Sequence, residues 1–250
     1  MWVILLCIFL LATFGGPLYY LISGKVDFQA DYRTANRSSS NLAPDPTVTK
    51  EAVIQVYAAR TFNWRGIFAV HTWVAVKPEN EMHYIVCQVI GWLLFRNLPP
   101  LSVIQDIPDR HWFNQKPQIL LDIRGQEATK LFPEIIRATE SYPYADQYHY
   151  WPGPNSNTFT AHIARNVPAL RLALPSDAIG KDYFVPFLAR APSGTGFQFS
   201  LYGLLGILVA WQEGIEINLL GLVYGVSPSM GIVKLPGFGD IPFIPRWFKS

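Results

Sequence analysis

Hydrophobic and polar residues are unevenly distributed along this chain, and the longest apolar run stands at its start. Residues Met1 to Ile22 contain no charged side chain, and about 20 such residues in a helix cross the core of a bilayer. No Lys or Arg precedes the run and no A-x-A cleavage site follows it, which favours an uncleaved anchor. We therefore predict one N-terminal transmembrane helix over residues 1–24, with a cleaved signal peptide as the alternative.

A polar stretch separates this helix from the rest of the chain. Residues 33–46 are rich in Ser, Asn and Arg and include Pro44 and Pro46, a composition typical of linkers. We predict a linker over residues 25–47 and an α+β domain over residues 48–193.

Three stretches of this domain are rich in β-branched residues and predict strands, over 53–59, 66–76 and 83–90. Residues 77–81, Lys-Pro-Glu-Asn-Glu, have the chemistry of a turn. The second and third strands should therefore pair antiparallel, in a mainly antiparallel sheet.

Helical periodicity follows, with apolar residues at Ala128, Leu131, Phe132, Ile135 and Ile136. Pro133 lies within this pattern and either kinks the helix or marks its first turn. A second short helix is predicted from Ser156 to Arg165, closed by Asn166 and Pro168.

The pattern changes again over residues 194–250, which are apolar and rich in Gly and Pro. Residues 198–202 and 215–219 alternate as strands do. Residues 201–211 form an apolar run of 11 residues, which is too short to span a membrane alone. This region forms either strands packed on the domain or a membrane-apposed subregion.

Composition narrows the function classes. Half of the residues are apolar, 15% are charged and the net charge is +2, so the chain lacks the basic surplus of nucleic-acid-binding proteins. It contains no P-loop, GxSxG or dinucleotide fingerprint, and we expect no cofactor. Cys7 and Cys87 form no disulfide framework.

The most informative stretch for chemistry is Trp151 to Phe159, Trp-Pro-Gly-Pro-Asn-Ser-Asn-Thr-Phe. Its prolines, glycine and asparagines form a stiff turn that opens directly into the second predicted helix. Ser156 therefore stands at the positive end of a helix dipole, beside free backbone N–H groups. A nucleophile or a bound anion benefits from that position, and so does an ordinary helix cap.

The order of these residues resembles the permuted papain-like superfamily, which includes NlpC-type wall peptidases and lecithin:retinol acyltransferase. Residues 155–159 are similar to the Asn-Cys-x-x-Phe stretch around its nucleophile, with Ser156 at the cysteine position. The resemblance implies a permuted papain-like fold in which His71 is the base and His83 orients it. Asn155 would support the oxyanion beside backbone N–H groups. Serine is a weaker nucleophile than a thiolate and needs stronger base assistance.

Each candidate residue also has a structural interpretation. Ser156 serves equally well as a helix cap worth about 1 kcal/mol, and His71 as a core histidine. Tyr84 or a backbone carbonyl in place of His83 would orient the base as well. A zinc site from His71, His83, Cys87 and His149 matches no standard ligand spacing, so we expect no metal.

A further resemblance covers most of the chain. Residues 69–73, 151–159 and 174–183 are similar to a bacterial family catalogued as domain of unknown function 3750. The resemblance implies a membrane-associated bacterial protein and no established activity.

Together these observations predict a membrane-anchored envelope protein that contacts the lipid bilayer. Its predicted function is a papain-like hydrolase or acyltransferase acting on amide or ester bonds of lipid or cell-wall material. The alternative is a non-catalytic binding or scaffold module that uses the same cleft. Lys25, Arg33 and Arg37 follow the helix, which by the positive-inside rule would place the domain in the cytoplasm. The export-type N-terminus instead favours the periplasmic side of the bacterial inner membrane.

Overall fold

The computed structural model describes residues 1–31 and 33–243. Tyr32, in the predicted linker, and residues 244–250, in the predicted C-terminal region, lie outside the described residues. The described part is an α+β structure with two antiparallel sheets. Its α-helices are α1 (Trp2–Ile22), α2 (Gly125–Glu140) and α3 (Ser156–Asn166).

The central sheet has five strands: β1 (Val53–Arg60), β2 (Val70–Lys77), β3 (Ile85–Val89), β4 (Leu101–Gln105) and β5 (Gln118–Arg124). Their spatial order is β4-β3-β2-β1-β5, with every neighbouring pair antiparallel. β1 and β2 lie in the middle and are almost wholly buried on both faces. Val, Ile and Ala fill these strands because β-branched and small residues pack well on a pleated surface.

Helices α2 and α3 cover one face of the central sheet, and their apolar residues join those of β1, β2 and β3 in one core. Pro133 lies inside α2 rather than at its first turn. The other face carries a second core built around Tyr57, Trp73 and Trp112.

The stretch predicted as a linker packs against this second core, with Leu42 and Ala43 among its residues. The Asp109 carboxylate accepts hydrogen bonds from the backbone N–H groups of Leu42, at 2.6 Å, and Ala43, at 3.1 Å. The polar composition therefore reflects a segment held by hydrogen bonds to one buried carboxylate rather than a free connection.

Two predicted strand boundaries are wrong. The strand predicted from residue 66 begins at Val70, because Asn63–Ile67 forms a 3₁₀ helix. The strand predicted from His83 begins at Ile85, since pairing with β2 extends only from Val76↔Ile85 to Val74↔Cys87. His83 therefore lies in the exposed turn before β3. The predicted antiparallel pairing of β2 and β3 is confirmed.

The C-terminal sheet has seven strands in sequential order: β6 (Leu188–Arg190), β7 (Gly196–Leu201), β8 (Leu205–Ala210), β9 (Gly214–Leu219), β10 (Leu222–Ser227), β11 (Ile232–Leu235) and β12 (Gly239–Pro242). The alternation at 198–202 and 215–219 is thus confirmed as strands β7 and β9. Tight turns join these neighbours, as expected of an antiparallel meander.

Charged and polar side chains fill the inner face of the C-terminal sheet. Glu216 Oε2 accepts a hydrogen bond from Lys181 Nζ and Glu216 Oε1 accepts one from Lys234 Nζ, both at 2.5 Å. Asp182 accepts further bonds from Gln198 and Asn218. All six side chains are buried, so the network satisfies charges that would otherwise be costly to bury.

Helix α1 has the length and composition of a membrane-spanning helix, with 21 residues and a mean hydropathy of 2.0. Most of its side chains are exposed. It meets the C-terminal sheet where Thr13 Oγ1 lies 2.8 Å from the Tyr224 hydroxyl. A Cβ at Gly16 would lie 2.4 Å from the backbone at Pro236 and Phe238, so the approach of the helix requires glycine there.

We predict that Glu216→Gln lowers the free energy of unfolding by about 3–5 kcal/mol, because it leaves two buried ammonium groups short of negative charge. Chemical denaturation of the full chain in detergent measures the change. The control is Glu79→Gln, at an exposed turn, which should change stability by less than about 0.5 kcal/mol. Equal stability of the two variants would contradict the prediction.

Candidate functional site

The start of α3 is fixed by a capping box. Asn155 is the N-cap, and its Oδ1 accepts hydrogen bonds from the N–H groups of Asn157, at 2.9 Å, and Thr158, at 3.2 Å. Thr158 Oγ1 accepts a bond from the Asn155 N–H at 3.1 Å. The cap is thus Asn155, and Ser156 is the first residue of the helix.

The side-chain nitrogen of Asn155 is also committed to the scaffold. Nδ2 donates to the carbonyl oxygens of Tyr150, at 3.3 Å, and Ile179, at 3.1 Å. Gly180 has a φ of +99°, and a Cβ there would lie 2.3 Å from the Asn155 amide. Only glycine fits this approach. Both amide donors of Asn155 therefore hold the turn, and none is left to support an oxyanion.

Asn157 joins α3 to the central sheet. Its Nδ2 donates to the carbonyl oxygens of Val70, at 3.0 Å, and Ile179, at 2.8 Å. Its Oδ1 lies 2.9 Å from Thr72 Oγ1. Because side chains alternate along a strand, Thr72 faces α3 and its neighbour His71 faces the opposite side.

His71 lies in the second core. Its ring stacks on Trp112, with 3.6 Å between the ring centroids and 7° between the planes. Nε2 lies 3.3 Å from Gln88 Oε1. Burial lowers the pKa of His71 to about 3, so the ring is neutral at physiological pH. The Gln88 oxygen accepts a hydrogen bond from the Nε2–H group, which leaves the lone pair of the neutral ring on Nδ1.

An apolar cavity of about 310 Å³ lies at the ends of β2 and β3, beside the start of α3. Both His71 and Ser156 line it, together with Arg65 and Asn157. Eight of the residues that line it are aromatic: Phe62, Trp64, Phe68, Trp92, Trp112, Tyr148, Tyr150 and Trp151. The volume lies within the range of about 300–1,000 Å³ typical of small-molecule sites.

Two polar side chains in this cavity, Ser156 and Arg65, have few partners. Within residues 1–31 and 33–243, Ser156 Oγ makes no hydrogen bond, and none joins it to His71. Arg65 makes neither an ion pair nor a side-chain hydrogen bond in the same part of the chain, and its Nε is buried without a partner. Its guanidinium carbon lies 4.1 Å from the centroid of the Tyr150 ring. One hydroxyl and one cation are therefore available to a ligand.

The structure does not bring His83 to this cavity. His83 borders a separate cleft that Asp106 and Asp109 also line. Gln88 occupies the orienting position that the sequence assigned to His83. The zinc set is also dispersed, because Cys87 belongs to the core on the other face and His149 is exposed. Among the described residues, no group of three or more His, Cys, Asp or Glu side chains could hold a metal.

Sequence reasoning missed Gln88, Trp112 and Arg65. The first could have been found by alternation: once the strand is known to pair Val74 with Cys87, Gln88 falls on the same face as His71. Trp112 and Arg65 lie in irregular segments, where no periodic pattern indicates which way a side chain points.

Residues 51–183 match the family described as Protein of unknown function (DUF3750), which confirms the resemblance noted in the sequence. The chain matches no curated protein and no solved structure. The matched range contains the central sheet, α2 and α3, and it ends before β6. It therefore includes His71, Gln88 and Ser156 but not the C-terminal sheet.

We predict that His71 makes stability pH-dependent. Burial lowers the pKa of His71 to about 3 from an ordinary value of 6.5, so the unfolded state binds more protons between these values. The stabilisation is complete above pH 6.5 and is lost as pH falls towards 3, by about 1.4 kcal/mol per pH unit.

Denaturant titrations of the full chain at several pH values between 7.5 and 5 measure this loss. His71→Gln should show a shallower decline than wild type, and His149→Gln, at an exposed position, serves as the matched control. Identical slopes for wild type and His71→Gln would show that His71 is not held neutral by burial.

Proposed function

This chain belongs to the family described as Protein of unknown function (DUF3750), and we propose that it binds an anionic amphiphile, such as a fatty acid or lipid chain. The observation that carries the proposal is the cavity of about 310 Å³ with its aromatic wall and one cation. Aromatic side chains bury large apolar areas against a ligand at little entropic cost.

The polar residues give the bound ligand an orientation. The acyl chain lies against Trp92 and Trp112, and the anionic end reaches the Arg65 guanidinium. A carboxylate or phosphate forms bidentate hydrogen bonds with guanidinium, which supplies the partners that Arg65 lacks within the described chain. Neutral His71 adds no charge to the apolar part of the cavity.

We also propose that α1 anchors the protein in the bacterial inner membrane, with the domain on the periplasmic side. Its uncharged sequence and its 21-residue length support the anchor. A cavity tethered within reach of the bilayer has direct access to lipid ligands.

A photoreactive fatty acid tests the binding function. The full chain in nanodiscs should cross-link the probe to peptides from residues 61–71 and 148–157. Ala69→Trp, which fills the cavity, should abolish this labelling by steric exclusion. Arg65→Gln should weaken it more for a fatty acid than for the matched fatty alcohol, because only the acid pairs with the cation.

The control is Phe95→Trp, an exposed position outside the cavity. It should label as wild type does. Labelling of the cavity peptides that persists in Ala69→Trp, in a variant that melts like wild type, would overturn the binding function.

A second candidate function is acyl transfer or hydrolysis by a permuted papain-like site. The specific observation in its favour is the His71–Gln88 contact at 3.3 Å, which leaves Nδ1 free to accept a proton. Ser156, at the start of α3, would attack the carbonyl carbon of an ester or amide while His71 takes its proton. His71 would return that proton to the departing alcohol or amine as its bond to the carbonyl carbon breaks, and water or an acceptor alcohol would then release the acyl group from Ser156. Helix N–H groups would stabilise the oxyanion. The low pKa of His71 opposes this role, because a general base works best near the ambient pH.

A fluorophosphonate probe tests this second function. If Ser156 is a nucleophile, wild type should be labelled and Ser156→Ala should not, while Ser156→Cys should react with thiol-directed acylating probes. Gln88→Leu should slow the labelling without removing it, since Gln88 only orients the base. If wild type is not labelled under conditions where a known serine hydrolase reacts, this second function is rejected and only the binding function remains.

A further inference from the structure

The C-terminal sheet has apolar side chains on its outer face and polar side chains on its inner face. Its outer face carries apolar side chains in register across successive strands. One such row runs through Phe199, Ile207, Ile217 and Tyr224. The alternate positions of the same strands point inwards and hold the buried charged network around Glu216. A sheet with one solvated face normally shows the opposite arrangement, with polar residues outside.

A second row is longer. Phe197, Val209, Ile215, Val226, Val233 and Ile241 occupy successive paired positions from β7 to β12. Phe197 is 65% exposed, and Trp211, in the turn after β8, is 79% exposed. Contiguous apolar surface on this scale marks a site of contact with a protein or a membrane.

The position of helix α1 indicates whether a protein or a membrane contacts this outer face. Tyr224 belongs to the outer face, and it stacks with Phe9 of α1 at 6.0 Å between ring centroids. The uncharged surface of α1, most of it exposed, therefore continues directly into the outer face of the sheet. One apolar medium would cover both surfaces, whereas a second copy of the chain would have to cover a helix and a sheet together.

We infer that the outer face of the C-terminal sheet lies on the lipid bilayer, at the level of the headgroups and upper acyl chains. Within residues 1–31 and 33–243, β6 and β12 are the edge strands of this sheet, and hydrocarbon does not tolerate the open edge of a sheet. The sheet therefore rests in the interface and does not cross the membrane. Trp211 suits that level, where indole rings concentrate.

The C-terminal sheet also contributes residues to the wall of the cavity. Leu222 belongs to the outer face, paired with Leu219, and it lines the cavity together with Leu220. The Leu220 carbonyl accepts a hydrogen bond from Trp151 Nε1 at 2.8 Å. The corner of the sheet at the turn between β9 and β10 is thus one wall of the cavity.

Depth-dependent quenching in nanodiscs tests the bilayer contact without any assumption about what the cavity binds. Ile207→Cys and Ile215→Cys, each labelled with an environment-sensitive fluorophore in a Cys7→Ser background, report on the outer face. Thr129→Cys, exposed on α2, is the matched control. Cys87 is buried and is left unchanged. Spin-labelled lipids should quench both sheet positions several-fold more than Thr129→Cys.

Equal quenching at the sheet and control positions would overturn the inference. Energy transfer between fluorophores on different copies, without quenching by lipid, would also overturn it. That result would identify a second copy of the chain as the occupant of the outer face. If the cysteine variants fail to fold, the unmodified chain serves instead, with a photoactivatable phospholipid. Labelling of peptides from residues 196–219 in excess of those from 125–140 supports the inference, and the reverse overturns it.

Discussion

The side-chain amide of Asn157 joins three separate parts of the chain. It ties the start of α3 to the first residue of β2 and to the loop that contains Ile179, while Asn155 caps the same helix. Because Asn155 and Asn157 are buried, each of their hydrogen bonds left unmade would cost about 1–3 kcal/mol. The wall of the cavity is therefore rigid on this side, and the exposure of Ser156 to the cavity follows from it.

The cavity combines a rigid wall with an unusual electrostatic balance. His71 is neutral because burial opposes its charge, and Trp112 covers one face of its ring. Arg65 places a guanidinium group at the same cavity without a carboxylate partner in the described chain. These two residues set a clear polarity across the site, with an apolar end and a cationic end. Such a polarity suits an amphiphile better than an extended peptide or polysaccharide.

Most of the regular structure could be predicted because it depends on local pattern. The strands around Val56 and Ile217 and the helix that begins at Ser156 each carry their own periodicity. Side-chain partners could not be predicted from the sequence, because they depend on the register of the paired strands. A two-residue difference in where β3 begins moves His83 out of the sheet and leaves Gln88 beside His71. Alternation alone also cannot show which face of the C-terminal sheet points inwards.

The ion network beneath the C-terminal sheet determines more than its stability. A strand shifted by one residue exchanges its two faces, so a slip of β9 would bury Ile217 and expose Glu216. In water that exchange would gain hydrophobic burial. The loss of the buried contacts of β9, from Lys181 and Lys234 to Glu216 and from Asn218 to Asp182, opposes it. The strand register of this sheet therefore depends on the medium that contacts its outer face.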